Sequence, residues 1–120
     1  MENSKTKVSI IGNGEIGSSL AEVYRAKGLE PMIRDINFNT IHGDVDVLDI
    51  CLPYGEEFVN VVNDYIDEYL PKITIIHSTV PVGTTKQIKR PCVHSPVRGV
   101  HPNLKEGIEN WIKNWKKNGW

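Results

Sequence analysis

The stretch that most restricts this chain is Lys7 to Ala21, KVSIIGNGEIGSSLA. An apolar run (Val8, Ile10, Ile11) leads into Gly12-Asn13-Gly14-Glu15-Ile16-Gly17, and an amphipathic segment then opens on Ser18 and Ser19. That order reads as strand, tight turn, helix. A glycine turn at such a junction suits the holding of a phosphate, because the backbone N–H groups of the first helical turn and the positive end of the helix dipole meet an anion there. Gly12 permits the turn, Gly14 lets a pyrophosphate approach the backbone, and Gly17 lets the helix pack closely on the strand.

The surroundings extend the pattern. Ile16, Leu20, Ala21, Val23 and Tyr24 recur at helical spacing, and Gly28 stops the helix. Pro31 to Asp35 reads as a second short strand ending on a carboxylate, 18 residues after Gly17. This is close to the spacing at which a Rossmann unit places the acid that binds the adenine ribose. The motif therefore has a strand before it, a helix after it and an acid at the end of the next strand, and a dinucleotide site is expected. Asp35 favours NAD over NADP, since a carboxylate accepts hydrogen bonds from both ribose hydroxyls and repels a 2′-phosphate. Arg34 is expected to point to the other side of the strand. The bland alternative for Asp35 is a solvated residue closing a strand.

About ten residues, Ile36 to Val45, separate Asp35 from the next apolar run, and they carry no amphipathic helical period. A parallel crossover normally carries a helix, so a loop crossing is expected and the usual third strand of the first half is missing. Val45 to Leu52 then lies on the far side of the first strand. Phe58, Val61, Val62, Tyr65, Ile66, Tyr69 and Leu70 mark one face of a helix closed by Pro71. Residues 72–76 form a β-branched fourth strand, 85–89 a short helix and 91–94 a fifth strand. Residues 104–118 form a C-terminal amphipathic helix with Ile108, Trp111, Ile112 and Trp115 on one face. The expected fold is α/β, a doubly wound, mostly parallel sheet of a reduced, NAD(P)-binding Rossmann-like kind. Its strand order is 2-1-3-4-5, and residues 1–120 make one domain.

Charge and cysteine usage remove other classes. A net charge of −1 gives no basic face for nucleic acid or for an acidic membrane. No apolar run approaches the ~18 residues needed to cross a bilayer. Met1 to Lys7 is polar and reads as no signal peptide. Cys51 and Cys92 each sit inside an apolar run and read as buried thiols, so a cytoplasmic protein is expected.

Leu52-Pro53-Tyr54 and Ser78-Thr79-Val80-Pro81-Val82-Gly83-Thr84-Thr85 both lie just beyond strand ends, where ligands of open α/β sheets bind. His77 to Thr85, HSTVPVGTT, resembles a loop of the UDP-glucose/GDP-mannose dehydrogenase family near the nicotinamide ribose. Ser95-Pro-Val-Arg-Gly99 resembles a segment of the related 6-phosphogluconate and 3-hydroxyacid dehydrogenases. The resemblance implies the cofactor half of a nucleotide-sugar or hydroxyacid dehydrogenase. By matching position, Gly12, Asn13, Gly14, Glu15, Ile16 and Gly17 would hold the pyrophosphate of NAD and Asp35 its adenosine ribose. Leu52, Pro53, Tyr54, Ser78, Thr79 and Val80 would line the nicotinamide side. Members of that family continue into a helical domain that supplies catalytic groups, and this sequence does not reach one. His77 stands where the nucleotide-sugar enzymes carry an acid.

Hydride transfer from an alcohol needs a base. His77, beside Ser78 and Thr79, is the best-placed candidate, and the plain alternative is a polar residue closing a strand. Cys92, His94 and His101 fit no zinc spacing, so no metal is expected. Arg98 could pair with a phosphate or carboxylate of a substrate. Trp111 and Trp115 either pack on the sheet or await a second copy or a missing domain. Three readings stand together: an NAD-dependent dehydrogenase unit that is incomplete alone, a dinucleotide-binding or regulatory module without turnover, and a fragment of a longer dehydrogenase.

Overall fold

Val8–Ile11, Val47–Ile50 and Ile73–Ile76 are buried along their whole length, as strands of a parallel sheet covered on both faces must be. The computed structural model describes residues 6–95. In chain order the elements are β1 (Val8–Ile11), α1 (Glu15–Ala26), β2 (Met32–Asp35), β3 (Phe38–Asn39), β4 (Val47–Ile50), α2 (Phe58–Tyr69), β5 (Ile73–Ile76) and β6 (Cys92–His94). A single 3-10 turn at Thr85–Gln87 stands where the short helix over 85–89 was expected.

Side chains along the central strands alternate between two cores. Val8, Ile10, Val47, Ile73 and Ile75 pack with Leu20, Ala21, Val23 and Tyr24 of α1. Ile11, Leu48, Ile50 and Ile76 pack with Phe58, Val62 and Ile66 of α2. Among the described residues one helix therefore covers each face, and the α/β, doubly wound architecture follows.

The strand order differs from the expected one. Among the described residues six strands run β3-β2-β1-β4-β5-β6, against the five-stranded 2-1-3-4-5. The addition is β3, antiparallel to β2 with Asp35 opposite Phe38. It lies inside the segment expected to be a plain loop: the chain reverses over Ile36 and Asn37 and pairs before crossing. The other neighbouring strands pair in parallel.

The apolar face expected of α2 is also narrower. Phe58, Val62 and Ile66 are buried, whereas Val61 is 37% and Leu70 77% exposed. Tyr65 and Tyr69 are half-buried against that core and also flank Arg34, whose guanidinium lies 5.0 Å from the Tyr65 ring centre and reaches the Tyr69 hydroxyl at 2.6 Å and Glu68 at 3.0 Å.

At the amino pole of the sheet, Asp46 joins three strands. Its Oδ2 accepts from the Lys7 amide at 2.8 Å, its Oδ1 lies 3.2 Å from Lys72 Nζ, and its carbonyl accepts from the amides of Lys72 and Ile73. The Lys7 amide, followed by Lys72, holds the Asp46 carboxyl below the usual range. Among the described residues no helix is long and apolar enough to cross a membrane. The helix expected over 104–118, with Trp111 and Trp115, lies outside the described residues, as do Arg98 and His101.

Candidate functional site

All parallel strands end at the carboxyl pole, and the glycine turn sits there between β1 and α1. Two of its glycines are required by packing. Gly12 has φ +103°, and a Cβ on it would come within 2.8 Å of the Cys51 carbonyl oxygen. A Cβ on Gly17 would come within 2.0 Å of the Gly12 carbonyl oxygen, so α1 can lie against the turn only with glycine at that position. Gly14 differs. A Cβ there would meet nothing within 4 Å. It is the N-cap of α1 and offers no side-chain cap, so the first helical turn opens outward through backbone alone.

That opening forms one wall of a cleft of about 400 Å³ lined by Gly14, Glu15, Ile16, Cys51, Leu52, Pro53, Tyr54, Ser78 and Thr79. Three elements supply it: the start of α1, the segment leaving β4 and the segment leaving β5. Tyr54 is half-exposed and leans on Phe58 at the head of α2, with ring centres 5.5 Å apart. Ser78 is buried, and its Oγ donates to the Leu52 carbonyl, closing the seam between the β4 and β5 ends. His94 of β6 bonds the Ser78 carbonyl through Nε2 at 2.9 Å.

The remaining candidates lie around this cleft. Gly12 and Gly17 are buried and shape the turn. Asn13 faces a second groove, of about 460 Å³, that runs between α1 and the β2–β3 hairpin. Asp35 ends β2, half-buried, and the Gly12 amide donates to the neighbouring Arg34 carbonyl at 2.8 Å, tying the turn to that strand end. Arg34 points to the α2 side, as strand alternation predicts. Val80 packs against the α2-side core.

His77 is not on the cleft wall. It is 2% exposed, and its Nε2 bonds Asp49 Oδ1 at 2.7 Å. The other oxygen of Asp49 accepts from the Tyr24 hydroxyl at 2.7 Å. Tyr24, Asp49 and His77 thus form a buried polar chain under α1, with Asp49 fully enclosed in β4. Burial first, then the adjacent Asp49 carboxylate, drives the Tyr24 phenol well above its usual range, which keeps it a hydrogen-bond donor. The sequence reading missed Asp49 and Cys51. An acid in the middle of the otherwise apolar run VDVLDICL was the available signal for Asp49, and the place of Cys51 next to Leu52 the signal for Cys51.

Both cysteines are free and half-buried. Burial and Asp49 push the Cys51 thiol well above its usual range, and burial pushes Cys92 up to about 11, so neither is a thiolate near neutrality. Among the described residues no cluster of histidine, cysteine, aspartate or glutamate could hold a metal ion.

The chain is similar to a dehydrogenase. It is 40% identical over 67 residues to an L-lactate dehydrogenase of Staphylococcus haemolyticus (strain JCSC1435), a match covering 53% of this chain and 21% of that protein. The chain thus spans about a fifth of the length of the curated relative it matches. No family model matches. The likeness is to a lactate dehydrogenase rather than to the nucleotide-sugar or 6-phosphogluconate enzymes that the loop motifs resemble.

Proposed function

We propose that this chain binds NAD(H) through a Rossmann-like site and forms the cofactor-binding part of a hydroxyacid dehydrogenase. Gly14 carries the reading. Its glycine has no packing reason, and it faces an open cleft at an uncapped helix start. A ligand whose phosphates touch the backbone there accounts for both features. The Gly12–Gly17 turn would hold the pyrophosphate and Asp35 the adenosine ribose. Leu52, Pro53, Tyr54, Ser78 and Thr79 would line the nicotinamide side, with Val80 packed behind them. The bound dinucleotide would accept or supply the hydride, and the chain's own residues bind and orient it. L-lactate, in the name of the relative, is a 2-hydroxyacid, which favours that substrate class over nucleotide sugars. Two free thiols suit a reducing compartment, and the cytoplasm is the proposed location.

A second reading, binding without turnover by this chain alone, is favoured by the burial of His77. Among the described residues the cleft wall carries no histidine to take a hydroxyl proton. Calorimetric titration with NAD⁺ and NADP⁺ tests the shared claim. Saturable NAD⁺ binding is expected, weakened about 10- to 100-fold in Asp35→Ala by loss of charge-assisted hydrogen bonds. No binding of either dinucleotide at millimolar concentration would remove the cofactor reading. NADH formation from NAD⁺ and L-lactate then separates enzyme from module.

A further inference from the structure

We infer that the buried Asp49–His77 contact positions the Ser78–Thr79 wall of the cleft, making both residues positioning residues for the dinucleotide site. The inference rests on the cofactor reading for its ligand but not for its geometry. Asp49 sits opposite Ile10 of β1 and Ile75 of β5, in the middle of the sheet. A carboxylate enclosed there is costly, and well-packed apolar side chains at 24, 49 and 77 would serve stability at least as well. The polar chain therefore calls for a role that an apolar core would not fill.

Its place supplies one. Regular pairing of β5 with β4 reaches its end at the His77 amide, which donates to the Ile50 carbonyl at 2.9 Å. Beyond that point side chains take over. His77 Nε2 is fixed on Asp49 Oδ1, Ser78 Oγ on the Leu52 carbonyl, and His94 Nε2 on the Ser78 carbonyl. The His77–Asp49 bond is the deepest of the three and sets the direction in which the chain leaves β5. Tyr24, from α1, satisfies the second oxygen of Asp49, and among the bonds of the described residues named above it makes none to the segment that leaves β5. In the donor geometry of the side chains, Gln at position 77 can reach Asp49 with an amide nitrogen, whereas Asn stops short and Leu offers no donor.

The test uses the full chain. NAD⁺ affinity by calorimetry, thermal midpoint, and the backbone amide resonances of Ser78 and Thr79 are measured in His77→Gln, His77→Asn, His77→Leu and Tyr24→Phe. His77→Leu and His77→Asn should bind NAD⁺ about tenfold or more weakly and shift the Ser78 and Thr79 resonances. His77→Gln should retain affinity within about threefold. Tyr24→Phe, which breaks the carboxylate's other bond, should lower the midpoint while leaving affinity unchanged. Wild-type affinity in a folded His77→Asn or His77→Leu overturns the inference. So does a loss of affinity that follows the midpoint across all four variants. If the wild type binds no NAD⁺, the cofactor reading fails by itself, and the resonances decide the positioning claim: unmoved Ser78 and Thr79 signals in His77→Asn sink it. If neither His77→Leu nor His77→Asn folds while His77→Gln does, the contact is a folding element and the inference is overturned.

Discussion

At Gly14 the backbone is extended (φ −81°, ψ −155°) and its hydrogen faces open space. Serine prefers this N-cap position, where its hydroxyl accepts from the second or third helical amide. Gly14→Ser should therefore raise stability by roughly 0.2–0.5 kcal/mol while weakening NAD⁺ binding, since the new hydroxyl competes for the amides a phosphate would use. Gly17→Ala, three residues away, should behave oppositely. Its Cβ would sit 2.0 Å from a carbonyl oxygen, beyond the ~1–3 kcal/mol of ordinary overpacking, and should unfold much of the protein. Urea denaturation and calorimetry on the two variants check both signs. An unchanged NAD⁺ affinity in Gly14→Ser would take the turn out of the site.

The elements were legible where one residue type decides them. Apolar and β-branched runs mark β1, β4 and β5, Pro31 and the closing Asp35 bound β2, and glycines together with the 3.6-residue period mark α1 and, by the period alone, α2. β3 was not legible, because Phe38 and Asn39 have no pattern of their own and pair only after the chain reverses beyond Asp35. The buried face of α2 was overread only at its margins: Val61 and Leu70 are exposed, whereas Tyr65 and Tyr69 pack against the core and also flank Arg34. The cleft was read largely from strand ends. The Tyr24–Asp49–His77 chain was not, since it depends on register between three elements. Asp46, at the pole opposite the cleft, gives a prediction at this scale. Its carboxyl titrates below its ordinary value because the Lys7 amide and Lys72 favour the charged form. A depressed carboxyl contributes stability above the unfolded value of ~4 and loses it as pH falls through the folded value. The urea midpoint should fall below about pH 4 in the wild type, less steeply in Asp46→Asn, with equal NAD⁺ affinity at neutral pH. Superimposable acid limbs would remove Asp46 as a contributor.

Because the strands that neighbour one another from β2 through β1, β4 and β5 to β6 run parallel, the strand ends that line the cleft share one pole and the Asp46 tie lies at the other. A ligand seated at the carboxyl pole touches the start of α1 and the exits of β4 and β5, segments that unfolding would separate. Its binding free energy must then appear as stability. At a concentration a hundredfold above Kd this amounts to about 2.7 kcal/mol, worth roughly 10 °C in a domain of this size. NAD⁺ should raise the thermal midpoint of the full chain by that order. Asp46→Asn, loosened at the far pole, should start lower and gain as much. Gly14→Ser should start slightly higher and gain little at the same concentration, because its cap occupies the amides that the phosphates need. Thermal scans with and without NAD⁺ separate these outcomes. Equal gains in all three proteins would mean that NAD⁺ stabilises the chain from somewhere other than the glycine turn, and a gain lost in Asp46→Asn would mean that the two poles are not independent.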